Sequence, residues 1–238
     1  MTQPVAPHQK PPGTLAAPSG EFEKFVYIVS HDLNEPLRMM SSFLDLMDIK
    51  YGKEMPAEMH EYMDYCRENA NKMKQMMQAL VQLSRVGRNR EDITEIELRP
   101  LMEDLLTMYS HEISEKQAVV TFDNLPTVRA QWGLIIDLFK ILLHNIFENA
   151  DKTPLNIRIS ACSEADGKAK ISVEDNGRGI KSVYLDSVCE IFRKADSKTP
   201  NVGAGLAIAK AIVEKYGGSL EVKSREGKGT VVSFTLPT

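Results

Sequence analysis

The sequence predicts two joined units: an all-α helical hairpin that pairs with a second copy as a four-helix bundle, then an α+β two-layer sandwich. Three observations carry this. Apolar residues recur at alternating spacings of four and three from Phe22 to Leu80. The repeat stops at Ser84–Arg88, and beyond it strand-like alternation takes turns with helical runs. The expected boundaries are a tail at 1–20, a hairpin at 21–88 and a sandwich at 89–238, with a hinge at Ser84–Asn89 between the last two.

In the first helix the repeat is Phe22, Val26, Val29, Leu33, Pro36, Met40, Phe43 and Met47, closing at Tyr51–Gly52, where a glycine suits a helix end. After Pro56 a second repeat runs through Met59, Met63, Cys66, Ala70, Met73, Met77 and Leu80. One hairpin cannot enclose its own seam, and a dimer can. The methionine-rich seam fits an adaptable core, or helices that repack during signalling. Downstream, the patterns predict a strand at 95–98, a helix at 100–113, strands at 118–122 and 127–130, and a long helix at 134–152. Hairpins follow at 155–162/168–174, turning through Ala165–Gly167, and at 220–224/230–236, with a helix at 206–216 between them. These predict one mixed sheet with helices on one face.

Composition narrows the function. A net charge of -4 offers no basic field for nucleic acid. No run reaches the ~18 apolar residues needed to span a bilayer. Three scattered cysteines without a Cys-x-x-Cys pair predict free thiols in a reducing, cytoplasmic compartment. Residues 1–20 carry five prolines among small and polar residues, predicting a flexible tail.

Four places depart from packing patterns. With Val29 and Leu33 on the seam, His31 falls on the opposite, solvent face. Asp32 can accept from its Nδ1–H, leaving Nε2 as a nucleophile, and Pro36 loosens the helix one turn later. Asn145, Asn149 and Lys152 form one stripe on the long helix: carboxamide oxygens suit Mg²⁺ and a lysine suits phosphate, or the stripe is a solvated face. Asp175-Asn176-Gly177-Arg178-Gly179-Ile180 follows a strand and is either an ordinary turn or a close approach to a flat ligand. Gly203-Ala204-Gly205-Leu206 opens a helix, as a phosphate-binding or simply tight entry.

In that order these residues resemble the sensor histidine kinases with a GHKL-type (Bergerat) ATP-binding domain, over about Glu21 to Pro237. Ser30–Arg38 resembles the H box, in the version seen in phytochrome-type kinases. Asn145–Lys152 resembles the N box, Asp175–Gly179 the G1 box, Ile191–Phe192 the F box and Gly203–Leu206 the G2 box; Gly227–Thr230 also fits. The resemblance implies that His31 is the phosphoacceptor and Asp32 its orienting base. It implies that Asp175 binds the adenine amino group, with Gly177 and Gly179 shaping the base pocket. Asn149, supported by Asn145, holds Mg²⁺, and Lys152 contacts phosphate. Residues 181–202 form an ATP lid hinged by Gly203 and Gly205, with Leu206 and Thr230 completing the site.

ATP and Mg²⁺ are thus the expected cofactors, and the partners a second copy, a response-regulator receiver domain and a sensor module that is separate or missing. Asn201 stands where the G2 box often begins with glycine, which bears on lid mobility. Glu35 stands where many members place Thr or Asn, which implies weak phosphatase activity. Related ATPases carry a water-activating glutamate at the Asn145 position, and an asparagine cannot act as that base. Two other readings remain at this level: a phosphotransfer or scaffold protein with a degenerate nucleotide domain, and a GHKL ATPase or serine kinase of the same fold whose hairpin serves only for dimerisation.

Overall fold

The computed structural model describes residues 20–88, 91–164, 166–194 and 201–238. Residues 1–19 of the expected tail, Asn89 of the expected interdomain hinge, Ala165 and residues 195–200 of the expected lid lie outside the described residues, as does the Phe22 side chain; Gly20, the last residue of that expected tail, instead opens the first helix.

Helices α1 (Gly20–Tyr51) and α2 (Ala57–Arg88) form the hairpin. Its tip is fixed by His60, whose Nε2 donates to the Gly52 carbonyl at 2.9 Å while Nδ1 lies 3.6 Å from Asp48. Further down, Arg67 reaches across to Asp45 at 3.4 Å. Pro36 leaves α1 a single helix. The expected seam splits in two. Val26, Ser30 and Leu37 are buried on α1, and Met63 and Ala70 on α2. Leu33 (44% exposed), Met40 (51%) and Phe43 (58%) stay in solvent, with Met47, Met59 and Met73. Within one chain, then, a second apolar stripe goes uncovered. The helix also continues through the expected hinge: α2 runs to Arg88 with Ser84 and Val86 buried.

The second unit runs β1 (Thr94–Glu97), α3 (Leu98–Met108), α4 (Ser110–Glu115), β2 (Val119–Asp123), β3 (Thr127–Ala130), α5 (Trp132–Glu148), β4 (Asn156–Glu164) and β5 (Lys168–Asp175). It continues with α6 (Ser182–Leu185), α7 (Gly205–Lys215), β6 (Leu220–Arg225) and β7 (Gly229–Pro237). The sheet order is β2-β4-β5-β7-β6, antiparallel except for the parallel β2–β4 pair. The single expected sheet is corrected in one respect: β1 and β3 form a separate antiparallel pair.

Alternation places Ile157, Ile159, Ile171, Val173 and Phe234 in the core with α5 and α7, while Arg158, Lys170 and Glu174 look outward. Phe139 of α5 meets Phe234 edge-on at 5.9 Å, both fully buried. The helix expected at 100–113 breaks at Tyr109, whose ring stacks on Phe147 and whose hydroxyl donates to the Lys140 carbonyl at 3.3 Å. The helix expected to reach 152 stops at Glu148. Pro154 disfavours helix in the residue before it, and the freed Asn149 carbonyl instead accepts from the Arg178 N–H at 3.4 Å.

Because the helix layer hangs on this aromatic pair, Phe139→Ala should cost about 3–5 kcal/mol of stability. Chemical denaturation of the whole chain checks this; a loss under about 1 kcal/mol would show that the Phe139–Phe234 contact is not central.

Candidate functional site

Strand β5 is the middle strand of the sheet and ends at Asp175, paired with Ile157 on one side and Thr230 on the other. The carboxylate therefore emerges half-buried at the sheet's end. Burial pushes its pKa up; the Gly177 and Thr230 backbone N–H groups, and Lys152 at longer range, pull it back down. The Gly177 N–H donates to Oδ1 at 2.8 Å. The glycines answer to backbone crowding. At Gly179 (φ 69°) an added Cβ would lie 2.1 Å from the Arg225 carbonyl oxygen, and at Gly229 1.9 Å from that of Asp175. They shape the pocket by letting the loop close on the β6–β7 hairpin. Ser224 ties the same corner: its hydroxyl accepts from the Ile180 N–H at 2.8 Å and lies 2.9 Å from the Thr230 hydroxyl.

The N-box residues lie on two different elements. Asn145 is in the last turn of α5, Asn149 caps it, and Lys152 follows in the loop. Asn149 donates through Nδ2 to the Asn145 carbonyl at 2.6 Å and accepts through Oδ1 from the Arg178 guanidinium. Lys152 faces carbonyls, donating to those of Gly227 at 2.8 Å and Gly177 at 3.4 Å. Asp175, Asn145 and Asn149 line a cavity of about 850 Å³ with Gly179, Thr230, Gly203, Gly205 and Leu206; Lys152 and Gly177 stand behind it. Its floor includes the apolar Ile141, Val173, Ile208 and Val232, suited to a flat ring. Gly203 (φ 72°) packs where a Cβ would lie 2.2 Å from the Arg193 carbonyl oxygen.

One wall comes from the hairpin. Gln75, Gln78 and Gln82 of α2 line the cavity, and the Lys215 ammonium of α7 donates to the Val86 carbonyl at 2.7 Å. His31 is on α1, outside the cavity. Its side chain is 77% exposed, with Nδ1 3.2 Å from Asp32 Oδ1. Carrying the Asp45–Arg67 register along the hairpin puts His31 level with about Val81, between Gln78 and Gln82, yet His31 is not among the residues that line the cavity. Glu35, one turn on, pairs with Arg38 at 2.6 Å, which holds its carboxyl below the ordinary range. Sequence reading missed three contributors. Arg178 lies between the two glycines of the G1 motif, where only its charge is a signal; Ser224 and the α2 glutamines carry none.

Asp175 titrates higher in the folded chain than in the unfolded one, so its ionisation lowers stability as pH rises through that window. Asp175→Asn removes the term. Its melting temperature relative to the parent should therefore be more favourable near about pH 7 than near about pH 3, where the parent's carboxyl is largely protonated in both states. Thermal melts at the two pH values check the sign, and a pH-independent difference would contradict it.

Residues 134–238 match the family of histidine kinase-, DNA gyrase B- and HSP90-like ATPases, and residues 23–89 match the His Kinase A (phospho-acceptor) domain. Cyanobacterial phytochrome A of a Nostoc species is 29% identical over 225 residues, covering 94% of this chain and 29% of that protein. The sensor histidine kinase YkoH of Bacillus subtilis is 31% identical over 224 residues, covering 89% of this chain and 47% of its own length. The crystal structure of full-length ShkA in complex with AMPPNP shares the fold at TM-score 0.66 and 20% identity, over 90% of this chain and 46% of that one. The chain spans less than a third of the phytochromes it matches. Among the described residues no helix is long and apolar enough to cross a membrane. With a phosphoacceptor hairpin followed by this ATPase domain, the chain belongs to the two-component sensor histidine kinases.

Proposed function

We propose that the chain is an ATP-dependent protein histidine autokinase that phosphorylates His31 and passes the phosphoryl group to an aspartate on a separate receiver domain. One observation carries the reading: an exposed imidazole, its Nδ1 set against a carboxylate, on the same stalk that walls a cavity holding a half-buried aspartate. The tautomer with Nδ1–H toward Asp32 leaves the Nε2 lone pair facing solvent. That lone pair attacks the γ-phosphorus, the bond to the β–γ bridging oxygen breaks, and ADP leaves. A carboxylate oxygen of the partner's aspartate then takes the phosphoryl group from Nε2.

Asp175 accepts from the adenine amino group over the apolar floor. The first turn of α7, with Gly203, Gly205 and Leu206, offers N–H groups to the phosphates. The donor chemistry of Asn149 fits a hard divalent cation: Oδ1 is a carboxamide oxygen at the cavity wall that already attracts a cationic group. Mg²⁺ held there, with Asn145 beside it, supplies charge neutralisation on the phosphates. Lys152 reaches phosphate only on leaving its two carbonyls. No glutamate stands at position 145 to activate water, which favours transfer to His31 over hydrolysis. Since His31 does not line the cavity, the domain must move along or around the hairpin before transfer. The uncovered stripe of Leu33, Met40, Phe43 and Met47 supports pairing of two hairpins as a four-helix bundle. The stimulus would arrive from a sensor module, on another protein or in a longer form of this one.

Incubation with γ-labelled ATP should give acid-labile, base-stable label on the parent chain and none on His31→Gln. Label that survives the substitution, or never forms, sinks the proposal. Phosphatase activity toward the receiver should be weak. The Arg38 pair cancels part of the Glu35 charge, but a carboxylate kept ionised can only accept hydrogen bonds, and it still repels an acyl phosphate. The phosphorylated receiver should therefore keep its label when this chain and nucleotide are added; nucleotide-stimulated loss that disappears in Glu35→Ala would contradict this.

A further inference from the structure

The oxygen assigned above to the metal already has a cation on it. Arg178 donates from Nε to Asn149 Oδ1 at 3.0 Å and from Nη2 to the same atom. The other end of the carboxamide donates to the Asn145 carbonyl at 2.6 Å, so the amide cannot turn without losing that bond, and Oδ1 stays toward the cavity. The Arg178 backbone is pinned on both sides. Its N–H donates to the Asn149 carbonyl at 3.4 Å, and its carbonyl accepts from the Gly227 N–H at 2.6 Å. Only the side chain is able to leave. Arg178 and Asn149 both line the cavity.

We propose that Arg178 is a resident stand-in for the metal: its guanidinium occupies Asn149 Oδ1 when the site is empty and competes with the divalent ion for that oxygen. The inference rests on the nucleotide reading given above. A guanidinium bonded at 3 Å and a divalent ion cannot share one neutral oxygen without close like-charge contact at low dielectric. Loading is therefore an exchange. The displaced guanidinium, tethered by its backbone at the cavity edge, finds its next partners in the phosphate oxygens, which its planar donors fit in pairs. The arrangement keeps Asn149 in a metal-facing rotamer and makes metal capture depend on phosphates arriving with it. The site should then hold a divalent ion poorly without nucleotide and well with it.

The test uses the whole chain with Mn²⁺ as the probe, followed by the electron paramagnetic resonance of the free ion at fixed saturating non-hydrolysable ATP analogue. Arg178→Met keeps the length and apolar stem and removes the competitor. It should lower the half-saturating Mn²⁺ concentration by about tenfold, roughly what one charge-assisted hydrogen bond is worth net. Arg178→Lys, a single-point donor, should fall between the two, and it decides alone if the methionine variant does not fold. An unchanged or raised Mn²⁺ requirement overturns the proposal and leaves Arg178 as a phosphate or loop residue. Analogue binding by the parent that is indifferent to Mn²⁺ overturns it too, while leaving the nucleotide reading intact. No analogue binding by the parent or either variant overturns both.

Discussion

A carboxylate held half out of water at the end of the central strand is the constraint around which the second unit is arranged. Asp175 has a sheet partner on each side, and its burial must be offset by N–H donors from the turn that follows and from β7. Supplying those donors requires the chain to fold back against itself within two residues. That is why Gly177, Gly179 and Gly229 stand where backbone meets backbone: a side chain at Gly179 or Gly229 would collide with a carbonyl oxygen. Their pattern is explained without any ligand. The cavity is what remains once the corner has been tied by Ser224 and Lys152.

The hairpin takes part in the same site. Ala79 and Val86 of α2 join the apolar core of the second unit, and Lys215 reaches back to α2. A helix that serves both as stalk and as cavity wall couples any shift of the stalk to the shape of the pocket. Repacking along the methionine-rich α2 would move Gln75, Gln78 and Gln82 relative to α7. A signal entering the hairpin thus has a physical route to the nucleotide without contacting it.

Much of this was legible in sequence because the relevant periods are short. Alternation placed the strands of the five-stranded sheet, and a 3.6-residue period placed α5 and α7, to within about two residues at most ends. What failed was non-local. A heptad pattern marks apolar positions but does not say whether a neighbour in the same chain or in a second copy covers them, so the seam on α1 was read as one stripe and is two. The separation of β1 and β3 from the main sheet depends on pairing between residues thirty or more positions apart. The end of α5 at Glu148 reflects Pro154 and a bond from Arg178, and only the first is visible locally. Of the site, the aspartate and the glycines announce themselves by type and spacing. The partners of Asn149 and Lys152 do not, since both are supplied by loops distant in the chain.

Each of these polar or charged groups of the candidate chemistry already has a local partner: Arg178 on a carboxamide oxygen, Lys152 on two carbonyls, Glu35 on Arg38, His31 on Asp32. A nucleotide entering this site does not meet bare charges. It gains only the difference between its own contacts and those it displaces, so much of the Coulomb attraction is cancelled before it appears as affinity. Under the proposed function, a kinase that releases ADP before its phosphorylated stalk meets another protein would be served by that cancellation. Tight ground-state binding would hold the product in place, whereas interactions completed only when donors leave their resting partners favour the reacting arrangement over the bound one. The neutral partners are the informative ones. A lysine held by carbonyls, or an arginine held by an amide, is placed and oriented yet keeps its full charge for the phosphates, which a carboxylate partner would have largely neutralised.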